Sequence, residues 1–116
     1  MSCKNKNHDE IKRKILSVAE FSDSVDRLSN IFLMLGDSSR MKIVLALLEG
    51  ELCVFHICEI TGAKQSATSQ HLRKLKDSGI VKCRKEGNLS VYSLADEHIV
   101  SIVNLAIKHK DCNFNL

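Results

Sequence analysis

Apolar residues recur every three to four positions along the first half of the chain, a period that predicts α-helices. The polar residues 1–9 are expected to fray, and the first helical pattern after them consists of Ile11, Ile15, Leu16 and Ala19. Ser22 or Asp23 can cap a second helix that ends at Gly36. Its apolar stripe is Val25, Leu28, Ile31, Phe32 and Leu35. Asp37 or Ser38 can cap a third helix. Up to Gly50 this helix carries Ile43, Val44, Leu47 and Leu48.

Two shorter helical patterns follow, joined by a turn that contains glycine. The first covers residues 53–60, the turn is Thr61-Gly62-Ala63, and the second runs from Gln65 to Ser78. Two short helices joined in this way form a helix-turn-helix. Lys64 stands where Ser or Thr would cap the second of them, so this helix is expected to begin weakly capped or one residue later.

After Gly79 the apolar period changes to two, in the segment IVKCRKEGNLSVYSL. This alternation on both sides of a glycine-containing turn predicts a β-hairpin. A last helical pattern follows Asp96, which can cap it, and contains Ile99, Ile102, Val103 and Ala106. A helix-turn-helix followed by a hairpin is the order of a winged helix-turn-helix. The expected fold class is therefore mainly α with a β-hairpin wing (α+β).

The 116 residues suffice for one domain. We expect residues 1–9 to form a flexible arm and residues 10–112 a winged helix-turn-helix domain whose N- and C-terminal helices dimerise. The absence of Pro and the 44% of hydrophobic residues exclude a disordered chain. The sequence has no signal-peptide core and no apolar run near the roughly 20 residues that span a bilayer. A cytoplasmic protein with no membrane partner is expected, and its five cysteines should be reduced.

The net charge of +3 conceals two opposed regions. Residues 64–85 contain seven basic residues and one acidic residue, a net charge of +6, while the rest of the chain carries −3. This positive segment coincides with the second helix of the helix-turn-helix and with the hairpin. Phosphate contacts supply most non-specific affinity for DNA, and a helix in the major groove reads bases. The coincidence therefore favours binding to double-stranded DNA over a merely solvated charged face.

The candidate DNA-binding residues lie on that second helix and on the hairpin. Small polar side chains open the helix, let its backbone approach a groove, and can hydrogen-bond to base edges or phosphates. Basic side chains beside the hairpin tip are expected to grip the flanking backbone or minor groove. The full set is Lys64, Gln65, Ser66, Thr68, Ser69, Gln70, His71, Arg73, Lys74, Arg84 and Lys85.

The segments ELCVFHICEI, SATSQHLRKLKDSGIVKCRKEG and VYSLADEHI resemble, in order and spacing, the ArsR/SmtB family of metal-sensing winged-helix repressors. The resemblance covers residues 28–110. It implies a homodimer that binds operator DNA without metal and releases it when metal binds. Since no nucleophile–base motif or phosphate-binding loop is evident, we expect neither an enzyme nor a small organic substrate.

Asp96, His98, His109 and Cys112 form the most informative constellation. Eleven residues separate the two histidines, so their azimuths differ by about 20° but their axial positions by about 16 Å. One ion cannot reach both, since metal–ligand bonds measure about 2.0–2.3 Å. An antiparallel copy of the helix would bring Asp96 and His98 of one chain to His109 and Cys112 of the other. The dimer contact between the two sites would then be Ile99, Ile102, Val103 and Ala106.

A carboxylate, two imidazoles and a thiolate suit tetrahedral Zn²⁺, with Cd²⁺, Co²⁺ or Ni²⁺ as competitors. The Asp-x-His motif and the later histidine match the C-terminal-helix zinc site that the resemblance implies. Cys112 departs from that pattern, which has His or Glu there, and a thiolate favours softer ions. In the alternative interpretation Asp96 is a helix cap, His98 and His109 are surface residues, and Cys112 belongs to a frayed tail. The spacing of all four favours the metal site.

A second candidate metal site is centred on the first helix of the helix-turn-helix. Cys53 and His56 are i, i+3 neighbours that can face one ion, whereas Cys58 points elsewhere. The resemblance implies ligands from this helix in ELCVCDL-type sequences and further ligands from an N-terminal arm, here Cys3 and His8. Phe55 replaces the second Cys of that motif, which argues against a thiol-rich site. Cys58 and Cys83 are expected to be small buried residues.

Two other functions remain open on the sequence alone. A thiol-based redox or persulfide sensor on the same fold would use a pair among Cys53, Cys58, Cys83 and Cys112. Its release from DNA would survive the loss of His98 and His109. An interaction module whose basic face binds another acidic partner would show binding that is insensitive to salt or to DNA sequence.

Overall fold

The computed structural model describes residues 6–15 and 18–112, which form six helices and a three-stranded sheet. The elements are α1 Lys6–Ile15, α2 Val18–Leu35, α3 Ser38–Leu48, β1 Leu52–Cys53, α4 Val54–Thr61, α5 Gln65–Asp77, β2 Val81–Glu86, β3 Leu89–Leu94 and α6 Glu97–Lys110. The chain divides into two compact units, Met1–Phe32 and Leu33–Leu116. None of the helices in the described ranges has the length and apolarity needed to cross a membrane.

The two N-terminal helices begin earlier than the sequence predicted. Helix α1 starts at Lys6, so residues 6–9 are helical where a frayed stretch was expected. Ser22 and Asp23 do not cap α2, which starts at Val18. Asp23 lies within this helix, and its carboxylate is 3.6 Å from the guanidinium of Arg27 at the i+4 position. The first turn of α1 is polar and adds no apolar residue to the stripe, so periodicity could not indicate it; Ala19, expected in the first helix, lies in α2.

The junction of α2 and α3 is closed by polar contacts. The carboxylate of Asp37 accepts the backbone N–H of Arg40 at 3.0 Å, which confirms Asp37 as the N-cap. The buried guanidinium of Arg40 donates in turn to the carbonyls of Met34 at 2.9 Å and Leu33 at 3.4 Å. These carbonyls end α2 and have no helical partner, so Arg40 satisfies them from the next helix.

The core of the second unit lies where α3, α4, α5 and the sheet meet. Its fully buried side chains come from the three helices and from the residue that precedes β2, and they exclude water from the back of the helix-turn-helix. They are Ile43, Val44, Ile57, Thr68, Leu72, Leu75 and Ile80. Gly62 adopts φ of 73° at the end of α4, a left-handed conformation that glycine takes without strain, and this turn leads into α5.

The sheet contains the predicted hairpin and one strand that the sequence did not predict. Strands β2 and β3 pair from Val81 with Leu94 to Glu86 with Leu89, and a two-residue turn joins them. The short strand β1 adds to the other edge of β3, giving the order β1-β3-β2. Two residues are too few to show an alternating pattern. With its helix-turn-helix followed by a hairpin wing, the structure is a winged helix-turn-helix, as predicted.

Candidate functional site

Helix α5 has one buried face and one exposed face. Thr68, Leu72 and Leu75 are buried at three- and four-residue spacing, which fixes the helix against the core. Most of the predicted DNA-binding side chains lie on the exposed part of the helix or at its cap. They are Lys64, Gln65, Ser66, Ser69, Gln70, Arg73 and Lys74. Lys64 is the N-cap and makes no side-chain capping hydrogen bond, as the sequence indicated.

Thr68 and His71 do not belong with that exposed group. The side chain of Thr68 is fully buried, so the prediction that it contacts DNA is wrong. A small polar residue is compatible with either face of a helix, and the packing of Leu72 and Leu75 places Thr68 inward. His71 is half-buried, and its Nδ1 atom is inaccessible to solvent.

The two basic residues beside the wing tip project to opposite faces of the sheet, because successive strand residues alternate. Lys85 donates from Nζ to the Oγ of its cross-strand neighbour Ser90 at 2.9 Å. Ser90 also lines a groove of about 250 Å³ together with Gln65 and Ser69 of α5. Lys85 therefore lies on the face of the wing that is turned toward α5.

Arg84 lies on the other face and is held by two carboxylates. Its guanidinium donates to Glu51 at 2.6 and 3.0 Å and to Glu86 at 2.8 Å. These contacts, led by that with Glu51, raise the pKa of Arg84 above its usual value. In this conformation the charge of Arg84 is paired, so the predicted contact with DNA requires these exposed ion pairs to be exchanged for a phosphate. A carboxylate 33 residues away in sequence supplies the main contact.

The four predicted metal ligands of the C-terminal helix occupy its two ends. At the start of α6, Asp96 caps the helix by accepting the backbone N–H of Ile99 at 3.0 Å. Its Oδ1 also lies 3.7 Å from Nδ1 of His98, whose side chain is 92% exposed. The capping role of the alternative interpretation is therefore present, and it coexists with an exposed carboxylate–imidazole pair.

The other two ligands lie at the far end of the same helix. His109 and Cys112 are both exposed, and the backbone N–H of Cys112 donates to the carbonyl of His109 at 3.0 Å. The Cys112 thiol donates to the carbonyl of Lys108 at 3.4 Å. Within residues 6–15 and 18–112, no three side chains of the ligand types converge on one point. A single chain thus presents two half-sites.

The apolar stripe of α6 divides differently from the prediction. Ile99 and Val103 are buried in the core of their own chain, so the prediction that they form a dimer contact is wrong. Leu105, in contrast, is 64% exposed. At 100° per residue its azimuth falls within about 40° of those of His98 and His109. Leu105 therefore shares the exposed face of the two half-sites, with half-buried Ile102 beside it.

The second predicted metal cluster is only partly assembled in the structure. The Sγ of Cys53 lies 3.4 Å from Nδ1 of His56, so this pair does share a face at the start of α4. Cys3 lies outside the described residues, and His8 lies on α1 in the first unit. Cys58 and Cys83 are half-buried, a smaller degree of burial than expected. Burial and the adjacent Cys83 raise the pKa of Tyr92 on the neighbouring strand.

Comparison with known proteins identifies the family to which this chain belongs. The family model described as bacterial regulatory protein, arsR family, matches residues 37–82, from the α3 cap through α5 to β2. The cadmium resistance regulatory protein CadC of Listeria innocua is 35% identical over 106 residues, covering 90% of this chain and 87% of that one. The chain belongs to the ArsR family of bacterial regulatory proteins.

Other ArsR-family relatives and structures agree with this assignment. A CadC homolog of Staphylococcus aureus is 45% identical over 72% of this chain and 69% of its own. A repressor SmtB homolog of Synechocystis is 31% identical over 88% of this chain and 77% of its own. Reduced HlyU of Vibrio cholerae superposes with a TM-score of 0.71 at 26% identity, covering 83% of this chain and all of HlyU. The protein is accordingly a DNA-binding transcriptional regulator and not an enzyme, as predicted.

The sequence reasoning missed two features of this ArsR-family regulator. Glu51 precedes β1 and holds Arg84, but the pairing depends on the unpredicted strand that brings residues 51 and 84 together. The burial of Thr68 depends on the rotation of α5 about its axis. A helical wheel drawn through Leu72 and Leu75 includes position 68 on the same side and is the one signal that could have indicated it.

Proposed function

We propose that this ArsR-family regulator represses transcription by binding double-stranded operator DNA as a homodimer and dissociates when a divalent metal, in the first place Zn²⁺, binds. The observation that carries the proposal is the exposure of Asp96 with His98 at one end of α6 and of His109 with Cys112 at the other. The names of relatives that include cadmium resistance regulators and an SmtB homolog support a metal response.

DNA binding follows from the exposed side of α5 and the inner face of the wing. Gln65 and Ser69 line the groove that also contains Ser90, and Lys85 lies beside it. Polar side chains at the start of a helix can hydrogen-bond to base edges in a major groove, and lysines contact the flanking phosphates. A homodimer presents this surface twice, which is what two operator half-sites require.

The metal proposal needs two copies of α6 in antiparallel order. Each site then takes Asp96 and His98 from one protomer and His109 and Cys112 from the other, and Leu105 packs between the two sites. The donor set of one carboxylate, two imidazoles and one thiolate suits four-coordinate Zn²⁺, and the thiolate adds affinity for Cd²⁺. When bound, the metal supplies a bridge between protomers and no reaction chemistry.

Regulation requires that the bridged dimer hold its two α5 helices in an arrangement that no longer matches successive major grooves. The coupling is reciprocal, so the metal weakens DNA binding by the same factor by which DNA weakens metal binding. The coupling can be measured either as the effect of metal on operator affinity or as the effect of operator DNA on metal affinity.

The test is a titration of the operator complex with Zn²⁺, with the Asp96→Asn/His98→Gln double variant beside the wild-type protein. We expect the wild type to dissociate and the variant to remain bound. His56→Gln is the control, because it removes an exposed imidazole outside α6 and should leave release unchanged. Metal-dependent release that persists in the double variant would exclude this site as the sensor. Oxidant-dependent release in the same variant would support a thiol sensor in its place.

Cys112 is tested by its effect on metal selectivity. Removing the thiolate with Cys112→Ser should weaken the response to Cd²⁺ more than the response to Zn²⁺, because the sulfur ligand contributes most to the softer ion. The comparison uses Zn²⁺, Cd²⁺, Co²⁺ and Ni²⁺ on one operator. An unchanged order of the four ions would remove Cys112 from the ligand set.

We propose that the second cluster, Cys53 and His56 with Cys3 and His8, binds a metal ion without controlling release from the operator. The 3.4 Å separation of Cys53 and His56 supports the first half of that set. We expect Cys53→Ser to lower the number of Cd²⁺ ions bound per chain while operator release keeps its metal dependence. A change in release would show that the second cluster regulates.

A further inference from the structure

Two polar atoms on the buried side of α5 have no hydrogen-bond partner. They are Oγ1 of Thr68 and Nδ1 of His71, and no other buried side-chain nitrogen or oxygen of the described residues is in this condition. The two residues are three positions apart, so their side chains lie on the same side of the helix one turn from each other. Burying a polar group without a partner is unfavourable, and native proteins rarely leave two such groups side by side.

Both side chains line one small cavity between three helices, which opens to solvent on the side of the exposed residues Ser39, Lys42 and Ala67. The cavity measures about 80 Å³ and is bounded by Ser39 and Lys42 of α3, by Thr61 at the end of α4, and by Thr68 and His71. A cavity needs about 10–15 Å³ of space open to a water-sized sphere to hold one water molecule. The space is therefore large enough, and its walls carry polar groups.

The groups on the walls select among small ligands. The Thr61 hydroxyl is already engaged, since it donates to the carbonyl of Ile57 at 2.8 Å and accepts from the backbone of Ala63. Water can both donate and accept, so it can pair with the Thr68 hydroxyl and with Nδ1 of His71 in either tautomer.

We propose that an ordered water molecule occupies the inner end of this cavity and hydrogen-bonds to Oγ1 of Thr68 and Nδ1 of His71. The water joins the buried side of α5 to α3, where Ser39 and Lys42 offer further polar groups. Buried waters characteristically make about three hydrogen bonds to groups that are otherwise unsatisfied. The site lies directly behind the exposed side of α5, so the water helps to fix the position of this helix against α3.

The sign of one stability change tests the proposal. Thr68→Val keeps the shape of the side chain and removes its hydroxyl. If water is bound, the variant loses that hydrogen bond and leaves the water or His71 poorly paired, so the Tm should fall by about 4 °C or more. If the cavity is dry, the same change removes an unsatisfied hydroxyl, and the Tm should stay level or rise. Ser69→Ala, on the exposed side of the same helix, is the control and should leave the Tm unchanged.

A crystal structure of the protein provides an independent readout that does not depend on stability. We expect ordered density within hydrogen-bond distance of both Oγ1 of Thr68 and Nδ1 of His71. Thr68→Ser retains the hydroxyl and should retain the density, and Thr68→Val should lose it. A dry cavity, or a His71 ring turned so that Nδ1 pairs with a protein group, would overturn the proposal, as would a Thr68→Val variant at least as stable as the wild type.

Discussion

At the scale of single residues, the polar side chains that end the helices have defined partners. Asp37 caps α3, Asp96 caps α6, and Arg40 satisfies the last carbonyls of α2. The two aspartates are half-buried or exposed, whereas Arg40 is buried with its charge. Such contacts differ in what their removal does, because an exposed cap can be replaced by water and a buried guanidinium leaves its partners without a donor.

Asp37 should make the stability of the protein depend on pH in acid. Its hydrogen bond from Arg40 is the main cause that lowers its pKa below the ordinary value of 3.8. A carboxylate with a lowered folded-state pKa contributes stability that is complete above its unfolded-state pKa and is lost as the pH falls through the folded-state pKa. We expect wild type to be more stable than Asp37→Asn at pH 6, the difference to shrink once the pH is below the unfolded-state pKa, and the two to converge below the folded-state pKa. Melting temperatures from pH 6 to pH 2, with Asp26→Asn as an exposed control, would check this; parallel curves would contradict it.

Arg40→Met should destabilise the protein by about 1–3 kcal/mol, because the carbonyls of Met34 and Leu33 lose their donor while the apolar stem is retained. Urea unfolding provides the measurement. Arg27→Met is the matched control, since the Arg27 side chain is 80% exposed and only pairs with Asp23. Equal losses in the two variants would show that the contacts at the end of α2 contribute nothing specific.

At the scale of secondary structure, α3 to α6 and the hairpin followed from the sequence because their apolar residues face a common core. Helix α4 was expected at residues 53–60 and is found at Val54–Thr61, and α5 ends within one residue of the prediction. Periodicity could not locate β1 or the polar first turn of α1, and it assigned Ala19 to the first helix although this residue lies in α2. The pairing of Arg84 and the burial of Thr68 depend on tertiary neighbours. The sequence therefore predicted which elements form the candidate site better than it predicted the surroundings of each residue.

The pairing of Arg84 on the wing should limit how well this residue contacts DNA. This prediction rests on the proposed DNA binding. Glu51→Gln removes the main partner of Arg84, which leaves the guanidinium paired with Glu86 alone and more available to a phosphate. We expect tighter operator binding and a plot of log K against log salt that is steeper by up to about 0.9. Stability should change by less than about 1 kcal/mol, because the pair is exposed.

The control for the wing is the same change in an Arg84→Gln background. If Glu51 acts through Arg84, Glu51→Gln should have no effect on the salt dependence once Arg84 is absent. An equal effect in both backgrounds would mean that Glu51 repels DNA directly through its charge. No effect in either background would mean that the Glu51–Arg84 pair only braces the wing against β1.

At the scale of the whole molecule, charge and apolar surface are distributed over different elements. The segment with a net charge of +6 forms α5 and the wing, and the remaining residues together carry −3. Large exposed apolar side chains occur on α1, on α2 and, in Leu105, on α6. On α2 alone, Phe21, Val25, Leu28 and Phe32 recur at three- and four-residue spacing and form one exposed apolar stripe, which is typical of an interface. The small net charge of the chain is therefore compatible with DNA binding by one surface and self-association through others.

Leu105 offers a test of self-association that also tests the metal site. It is 64% exposed and shares the face of the two half-sites, so Leu105→Gln should weaken the dimer without unfolding the chain. Leu89→Gln is the control, because Leu89 is also an exposed leucine but lies at the start of β3 in the wing. Sedimentation at a series of protein concentrations would measure the dimer constant. In the proposed site each metal ion takes ligands from two protomers, so zinc affinity should fall in parallel with dimerisation in Leu105→Gln and depend on protein concentration. Full zinc affinity in a monomeric variant would mean that the metal is bound within one chain, which the separation of the two half-sites by about 16 Å along α6 does not allow.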